Sequence, residues 1–153
     1  MVKVILTLED LAYDAIDLSS MVKTVTAEAA GEPWMGKVAV CWVIVNRALR
    51  PGWWSRNPDE FKDDTVAAVC HDPSQFSCWN PGSPGLKFIE NMNINTPGFK
   101  ESAMAVAVVL GNMVPDPTKE STHYHTLDVS PKWSRGLTPI VKFGHHLFYN
   151  NVP

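Results

Sequence analysis

Two glutamates, one on each side of a predicted helix break, are the residues of this sequence that best suit acid–base chemistry. Glu28 lies in an apolar, helix-forming stretch, whereas Glu32 follows Gly31 and precedes Pro33. Glycine and proline at these positions predict that one helix ends near Ala30 and that another begins shortly afterwards. A carboxyl group at such a helix end either points to water or lies in a cleft, where it can act as an acid.

Helical periodicity places Glu28 at the edge of an apolar stripe. At about 100° per residue, it lies within about 20° of Met21 and about 60° of Val25. Burial raises the pKa of a carboxyl group, and an acid that is still protonated near neutral pH can protonate a glycosidic oxygen. An exposed glutamate in a last helical turn is the alternative, and the local sequence leaves the two open. Glu32 is expected to have a structural role, such as capping the next helix.

Four histidines in the C-terminal part of the chain are candidates for a metal site. The segment THYHT places His123 and His125 on one face of a predicted strand, with Tyr124 on the opposite face. His145 and His146 follow later in the chain. Their spacing matches no strong zinc signature, so the sequence predicts neither a metal site nor a cofactor.

The loop PSQFSCW combines side chains that suit a sugar ligand. Gln75 can exchange hydrogen bonds with an acetamide or a hydroxyl group, and Trp79 can stack on a pyranose face. Ordinary turn polarity around a packed Phe76 is the alternative. The sequence has no GxSxG motif, P-loop or dinucleotide-binding glycine pattern.

Composition narrows the class of protein. A chain of 153 residues, 45% hydrophobic and 19% charged, predicts a single globular domain over residues 1–153. A net charge of −3 without a basic run argues against nucleic-acid binding. No signal peptide or membrane-spanning run is recognisable, so we expect synthesis in the cytoplasm and no membrane insertion. Three cysteines favour reduced thiols, with a Cys70–Cys78 pair as a minor alternative.

The elements that must position these residues are predicted to be mostly helices. The third predicted helix is apolar around much of its circumference, which places it at the centre of the domain. Thr7 with Asp10 is expected to cap the first helix, and Ser19 or Ser20 the second. Beyond Gly111 the pattern changes to strands and loops, so the predicted fold is helix-dominated α+β with a small C-terminal sheet. The predicted strand covers residues 2–6, and the predicted helices cover about 8–18, 21–30, 35–49, 65–70 and 100–110.

Four segments, in this order, resemble the signature blocks of the SleB-like cell wall hydrolases, the family of spore cortex-lytic enzymes. They are AEAAGEPWMGKVAVCWVIVNR, VAAVCHDPSQFSCW, THYHTLDVSPKW and FGHHLFYN. The resemblance implies a lysozyme-like α+β domain that acts on peptidoglycan glycan strands. It also implies that Glu28 is the acid of a lytic transglycosylase, which cleaves the β-1,4 bond between N-acetylmuramic acid and N-acetylglucosamine. Ala30 stands where the family usually has arginine, so no role is transferred for that arginine.

The resemblance also implies residues that contact the substrate. Its Gln-Phe block corresponds to Gln75 and Phe76, and its aromatic-His block to Tyr124 and His125. Gln75 and Tyr124 are the expected positioning groups for the reaction. The predicted substrate-binding set is completed by Trp79, Trp34 and Glu32.

The number of carboxylates favours transglycosylation over hydrolysis. A hydrolytic glycosidase usually needs two carboxyl groups, and Glu28 is the single convincing acid. One glutamate is enough if the muramyl 6-hydroxyl is the nucleophile, which gives a 1,6-anhydro product. Glu32 or Asp128 as a second carboxylate would instead make the protein a muramidase.

Two other classes of function stay open, together with the biological setting. One is a metal-dependent amidase that uses His123, His125 and either His145 or His146. The other is an inactive peptidoglycan-binding module with Trp34, Trp79 and Trp133 as stacking platforms. A muralytic domain without a recognisable export signal resembles a monomeric phage endolysin, held in the cytoplasm until a holin releases it to the cell wall.

Overall fold

The computed structural model describes residues 7–50, 64–72 and 75–153, which form a helical body with a small antiparallel sheet. The predicted helix-dominated α+β architecture is confirmed. Three short 3-10 turns lie at Leu8–Asp10, Ser77–Trp79 and Lys132–Ser134. The helices are α1 (Ala15–Ala29), α2 (Trp34–Ala48), α3 (Val66–His71), α4 (Pro84–Glu90) and α5 (Phe99–Leu110), and the strands are β1 (His123–Thr126), β2 (Val141–Phe143) and β3 (His146–Tyr149).

Helix α2 forms the centre of the domain, as its apolar circumference predicts. Of its 15 residues, 13 are buried, so almost every side of this helix is covered by other elements. Helices α1, α3 and α5 all pack against it. Within the described ranges, no helix combines the length and apolarity that crossing a bilayer requires.

The prediction of two helices over residues 8–18 and 21–30 is wrong, because one helix occupies most of this region. Asp14 accepts a hydrogen bond from the Asp17 N–H at 2.9 Å, and the Asp17 carboxylate accepts the Asp14 N–H at 2.9 Å. This reciprocal capping box starts α1 at Ala15, so the two serines that were expected to cap a second helix lie inside it. The expected pairing of Thr7 with Asp10 is present, on a 3-10 turn. The predicted strand at residues 2–6 lies outside the described residues.

The predicted break after α1 is confirmed, and a buried lysine stabilises it. Lys37 on α2 is 1% exposed, and its Nζ donates to the backbone oxygens of Ala30, at 3.1 Å, and Glu32. The same Nζ forms an ion pair with Glu101 at 3.2 Å. A cation at this position binds the carbonyl groups that the end of a helix leaves without partners. The last turn of α1, which carries Glu28, is therefore fixed to α2 and α5.

The remaining helices follow the sequence pattern in part. Thr65 caps α3 by accepting the Ala68 N–H at 3.1 Å, and α5 ends at Leu110, as predicted. Helix α4 was not predicted, because its proline-rich approach resembles a loop. Ser83 caps it by accepting the Leu86 N–H at 3.1 Å, and Pro84 occupies its first turn.

The predicted C-terminal sheet is confirmed, and it has three antiparallel strands in the order β1–β3–β2. In the central strand, Phe148 is opposite both Tyr124 of β1 and Val141 of β2, and it is completely buried. Its side chain joins the sheet to the helical core. The sheet thereby holds Tyr124 at a fixed place relative to the helices.

Glu32 fastens the turn between β2 and β3 and does not cap α2. The N-cap of α2 is Pro33, which has no side-chain capping bond. The Glu32 carboxylate accepts the backbone N–H of His145 at 3.0 Å and pairs with its Nδ1 at 3.3 Å. Gly144, at φ +54°, makes this approach possible, because a Cβ there would overlap the Glu32 carboxylate. Glu32 thus has a structural role, as expected, but its partner is His145 in the β2–β3 turn and not the start of α2.

Candidate active site

Glu28 lies in a cleft of about 380 Å³ between the helical body and the sheet. Four parts of the chain line this cleft: the last turn of α1, the end of α2, the segment 75–77, and the sheet with the segment that follows β1. Glu28 is the sole aspartate or glutamate among the described residues of the lining. The cleft therefore combines one carboxyl group with amide, hydroxyl and aromatic groups.

The environment of Glu28 favours its protonated form. Burial raises the pKa of this carboxyl group above its usual value. The Tyr124 hydroxyl, the Arg47 charge and the Cys78 thiol offset this effect in part, because each stabilises the carboxylate. Of the two alternatives that the local sequence left open for Glu28, partial burial is the one observed. A carboxyl group with a raised pKa keeps its proton to a higher pH than an exposed one, so it can donate that proton and take it back later.

Tyr124 on β1 holds the Glu28 carboxyl group directly. Its hydroxyl donates to Glu28 Oε2 at 2.7 Å. Its ring lies 4.9 Å from the His146 ring and 5.5 Å from the Phe148 ring, measured between centroids. Burial, and next the Glu28 charge, raise the pKa of Tyr124 well above its usual value. Tyr124 therefore keeps its proton and acts as a hydrogen-bond donor.

Arg47 at the end of α2 joins three parts of the site, and we did not predict this role. Its Nε donates to the backbone oxygen of Thr122 at 2.7 Å, and its Nη1 donates to Gln75 Oε1 at 3.4 Å. Its guanidinium carbon lies 5.2 Å from the centre of the Phe76 ring. The signal in the sequence was an arginine at the polar end of an apolar helix. Arg47 fixes the segment 75–77 and the start of β1 around Glu28.

Gln75 and Phe76 both line the cleft, and each also has partners within the protein. Gln75 Nε2 donates to Asp72 Oδ2 at 3.0 Å, and its Oε1 accepts from Arg47. Its amide keeps one N–H and one lone pair for a ligand. Phe76 is 2% exposed and belongs to the hydrophobic core. The two alternative interpretations of this loop, sugar binding and turn structure, are thus compatible with each other.

His125 lines the cleft, and both of its ring nitrogens have hydrogen-bond partners within the protein. Its Nδ1 is 2.7 Å from the Thr126 carbonyl, to which it must donate, and its Nε2 is 2.9 Å from the Tyr149 hydroxyl. Its ring stacks on Tyr149 with 5.3 Å between centroids. The alternation expected along β1 is present, since Tyr124 contacts a different set of side chains. Both residues nevertheless line the cleft.

The histidines considered for an amidase do not converge on a metal site. His145 pairs with Glu32, while burial lowers the pKa of His123 to about 4. His146 is 2% exposed, and its ring packs against Tyr124. In the ranges given above, no three histidine, cysteine, aspartate or glutamate residues are grouped to hold an ion.

Four residues with predicted roles are not part of the described lining of the cleft. Trp79 donates its indole N–H to the Thr24 hydroxyl at 2.8 Å and packs on His71 with 4.1 Å between centroids. Trp34 is 39% exposed at the start of α2. Glu32 faces the β2–β3 turn, as described above. The fourth is Asp128, an exposed side chain whose pKa is lowered by a hydrogen bond from Thr126. Their roles at the substrate stay predictions.

The cysteines are buried free thiols. Cys78 lies beside Glu28, and burial, followed by the Glu28 charge, raises the pKa of its thiol to about 12. Burial likewise raises the pKa of Cys70 to about 12. Neither thiol is therefore ionised near neutral pH, and the minor alternative of a Cys70–Cys78 disulfide is not present in the structure.

Comparison with known sequences finds relatives over most of the chain. The profile of the Cell Wall Hydrolase family matches residues 31–149. The spore cortex-lytic enzyme of Bacillus cereus is 28% identical over 137 residues, covering 89% of this chain and 45% of that enzyme. The enzyme of the same name from Halalkalibacterium halodurans is 30% identical over 141 residues, covering 90% and 36%. The chain spans less than half the length of these relatives.

Comparison with solved structures finds the same fold. The catalytic domain of the Bacillus cereus SleB protein superposes with a TM-score of 0.66 at 27% identity, covering 90% of this chain and 91% of that one. The catalytic domain of the germination-specific lytic transglycosylase SleB from Bacillus anthracis gives a TM-score of 0.63 at 28% identity, covering 90% and 96%. The predicted lysozyme-like α+β architecture is confirmed.

Proposed function

The chain belongs to the Cell Wall Hydrolase family, and we propose that it cleaves peptidoglycan glycan strands as a lytic transglycosylase, with Glu28 as acid and base. The observation that carries this proposal is the state of Glu28: a partly buried carboxyl group with a raised pKa, held by Tyr124 in an open cleft. The bond cleaved would be the β-1,4 linkage between N-acetylmuramic acid and N-acetylglucosamine.

The first step needs the protonated form of Glu28. Its carboxyl group gives a proton to the glycosidic oxygen as the bond from that oxygen to the anomeric carbon of the muramyl residue breaks. The carboxylate that remains accepts the Tyr124 hydroxyl and lies near the Arg47 charge. These groups stabilise the negative charge that Glu28 acquires as the reaction proceeds.

The second step uses the same residue as a base. The Glu28 carboxylate removes the proton of the muramyl 6-hydroxyl, whose oxygen attacks the anomeric carbon and closes a 1,6-anhydro ring. No water is consumed, and Glu28 returns to its protonated form. A single carboxyl group is sufficient for this cycle, whereas hydrolysis usually employs two. That Glu28 is the sole carboxyl group in the described lining supports transglycosylation.

The exchange Glu28→Gln tests the proposal, because an amide neither gives nor takes the proton. We expect loss of peptidoglycan clearing with an unchanged far-UV circular dichroism spectrum. Glu90→Gln is the matched control, since Glu90 is an exposed glutamate at the end of α4, and it should clear like the wild type. Clearing by a folded Glu28→Gln variant would contradict the role of Glu28. A role in host lysis as an endolysin released by a holin stays a prediction.

A further inference from the structure

The part of the cleft that follows β1 presents an apolar surface next to Glu28. Val129, Pro131 and Trp133 all line this part. Val129 is 49% exposed, and Pro131 and Trp133 are half-buried. An accessible apolar surface inside a cleft with a few polar groups is typical of a ligand-binding site.

The indole of Trp133 is held in place by three neighbouring rings. Its centroid lies 4.9 Å from that of His123, 5.6 Å from that of His125 and 5.1 Å from that of Tyr149, which it meets nearly perpendicularly. Tyr149 is itself 4% exposed and bonded to His125. A ring that is already fixed loses little conformational entropy when a ligand packs on it.

The backbone that carries these apolar residues is also fixed. The Ser134 hydroxyl donates to the backbone oxygen of Pro131 at 2.8 Å, and the Ser134 N–H donates to it at 3.0 Å. The Val129 N–H donates to the backbone oxygen of Thr126 at 3.2 Å. Pro131 and Val129 therefore have defined positions next to Trp133, and the surface is preformed.

The charge of this surface selects the chemistry of its ligand. From β1 to Trp133, none of the described residues that line the cleft is a lysine, arginine, aspartate or glutamate. Arg47, elsewhere in the lining, is 8% exposed and bonded to Thr122 and Gln75. A neutral ligand with an apolar face fits this surface better than a carboxylate or a phosphate does.

We propose that Trp133, Val129 and Pro131 form a sugar subsite beside Glu28. One N-acetylated pyranose ring stacks its C–H face on the indole, and its acetamido methyl group contacts Val129 and Pro131. The subsite deepens the proposed function and rests on it, because Glu28 must act on a bond of the same glycan. Binding at this subsite does not depend on the stem peptides.

Binding to an inactive protein tests the subsite without turnover. In the Glu28→Gln background, peptide-free glycan fragments prepared from peptidoglycan are titrated by calorimetry. We expect Trp133→Ala to weaken binding about tenfold or more and Trp133→Phe about threefold, because phenylalanine keeps part of the aromatic face. Phe88→Ala, which removes a 42% exposed ring on α4 outside the cleft lining, should bind as the parent does.

A second variant keeps the test independent of folding. Val129→Ser changes an exposed side chain outside the hydrophobic core, so we expect a folded protein with about threefold weaker binding. Thermal unfolding of each variant identifies any that is misfolded. The subsite would be overturned if the folded Trp133→Phe and Val129→Ser variants bound the glycan fragments with the affinity of the parent. It would also be overturned if these variants bound only isolated stem peptides more weakly and not the glycan fragments. Failure of the proposed function would instead be seen as turnover by Glu28→Gln.

Discussion

The exchange Tyr124→Phe removes the hydroxyl that holds Glu28 and little else. The ring between His146 and Phe148 is retained, so the packing of the sheet on the helical body should survive. Burial raises the pKa of Glu28, and the Tyr124 hydroxyl is the strongest of the groups that lower it. Without this hydroxyl, the pKa of Glu28 should rise further.

The size of the rise follows from the energy of one hydrogen bond to a charged group. Such a bond contributes about 1.5–3 kcal/mol, and one pKa unit corresponds to about 1.4 kcal/mol. Glu28 is partly accessible, so water can replace some of the lost contact. We therefore expect a rise at the lower end, of about one pKa unit.

The dependence of kcat/KM on pH measures this rise. Because the first step needs protonated Glu28, activity falls as pH increases through its pKa, and Tyr124→Phe should move that fall about one unit higher. The maximal rate should decrease, since the carboxyl group is less well oriented. Tyr149→Phe is the matched control: its hydroxyl contacts His125 and not Glu28, so the fall should not move. A folded Tyr124→Phe with an unshifted profile would refute the reasoning.

Three further predictions concern stability and the role of the second glutamate. Because folding raises the pKa of Glu28, the stability contributed by its protonated form is fully present below the unfolded-state pKa and is lost as pH rises through the folded-state pKa. Glu28→Gln should therefore unfold at a higher temperature than the wild type above the folded-state pKa and at a similar temperature below the unfolded-state pKa; a pH-independent difference would contradict this. Lys37→Met should lower the free energy of unfolding in urea by about 1–3 kcal/mol, because the Ala30 and Glu32 carbonyls lose their donor, and an unchanged midpoint would contradict it. Glu32→Gln should form the same product as the wild type, since the Glu32 side chain faces His145 outside the cleft lining. A folded but inactive variant would show that Glu32 takes part in the reaction.

The elements that could be predicted are those whose signals are local and do not compete. Helix α2 lies within one residue of its predicted bounds, because glycine and proline precede it and its surface is apolar nearly all round. Upstream, Ser19 or Ser20 was expected to cap a second helix, but the reciprocal bonds between Asp14 and Asp17 start α1 earlier in the chain. Helix α4 carried a usable signal, serine followed by proline, that its proline-rich surroundings obscured.

Local sequence pattern locates the site only where a single helix determines it; Gln75, Phe76, Tyr124 and His125, which also line the cleft, were expected from the family resemblance. The position of Glu28 beside an apolar stripe is a local property, but the local sequence left its burial and its exposure as alternatives. The contacts of Arg47 with Thr122 and Gln75 join positions distant in sequence, so no local pattern gives them. Trp79 shows the same limit, because nothing in its loop indicates that its indole turns towards α1.

Digestion of purified peptidoglycan in water enriched in heavy oxygen tests the central claim most directly. If Glu28 acts as the base for attack of the muramyl 6-hydroxyl on the anomeric carbon, mass spectrometry will find 1,6-anhydro fragments without heavy oxygen. The Glu28→Gln variant will release no such fragments. Fragments with reducing ends that carry heavy oxygen would contradict transglycosylation and require a second group that activates water.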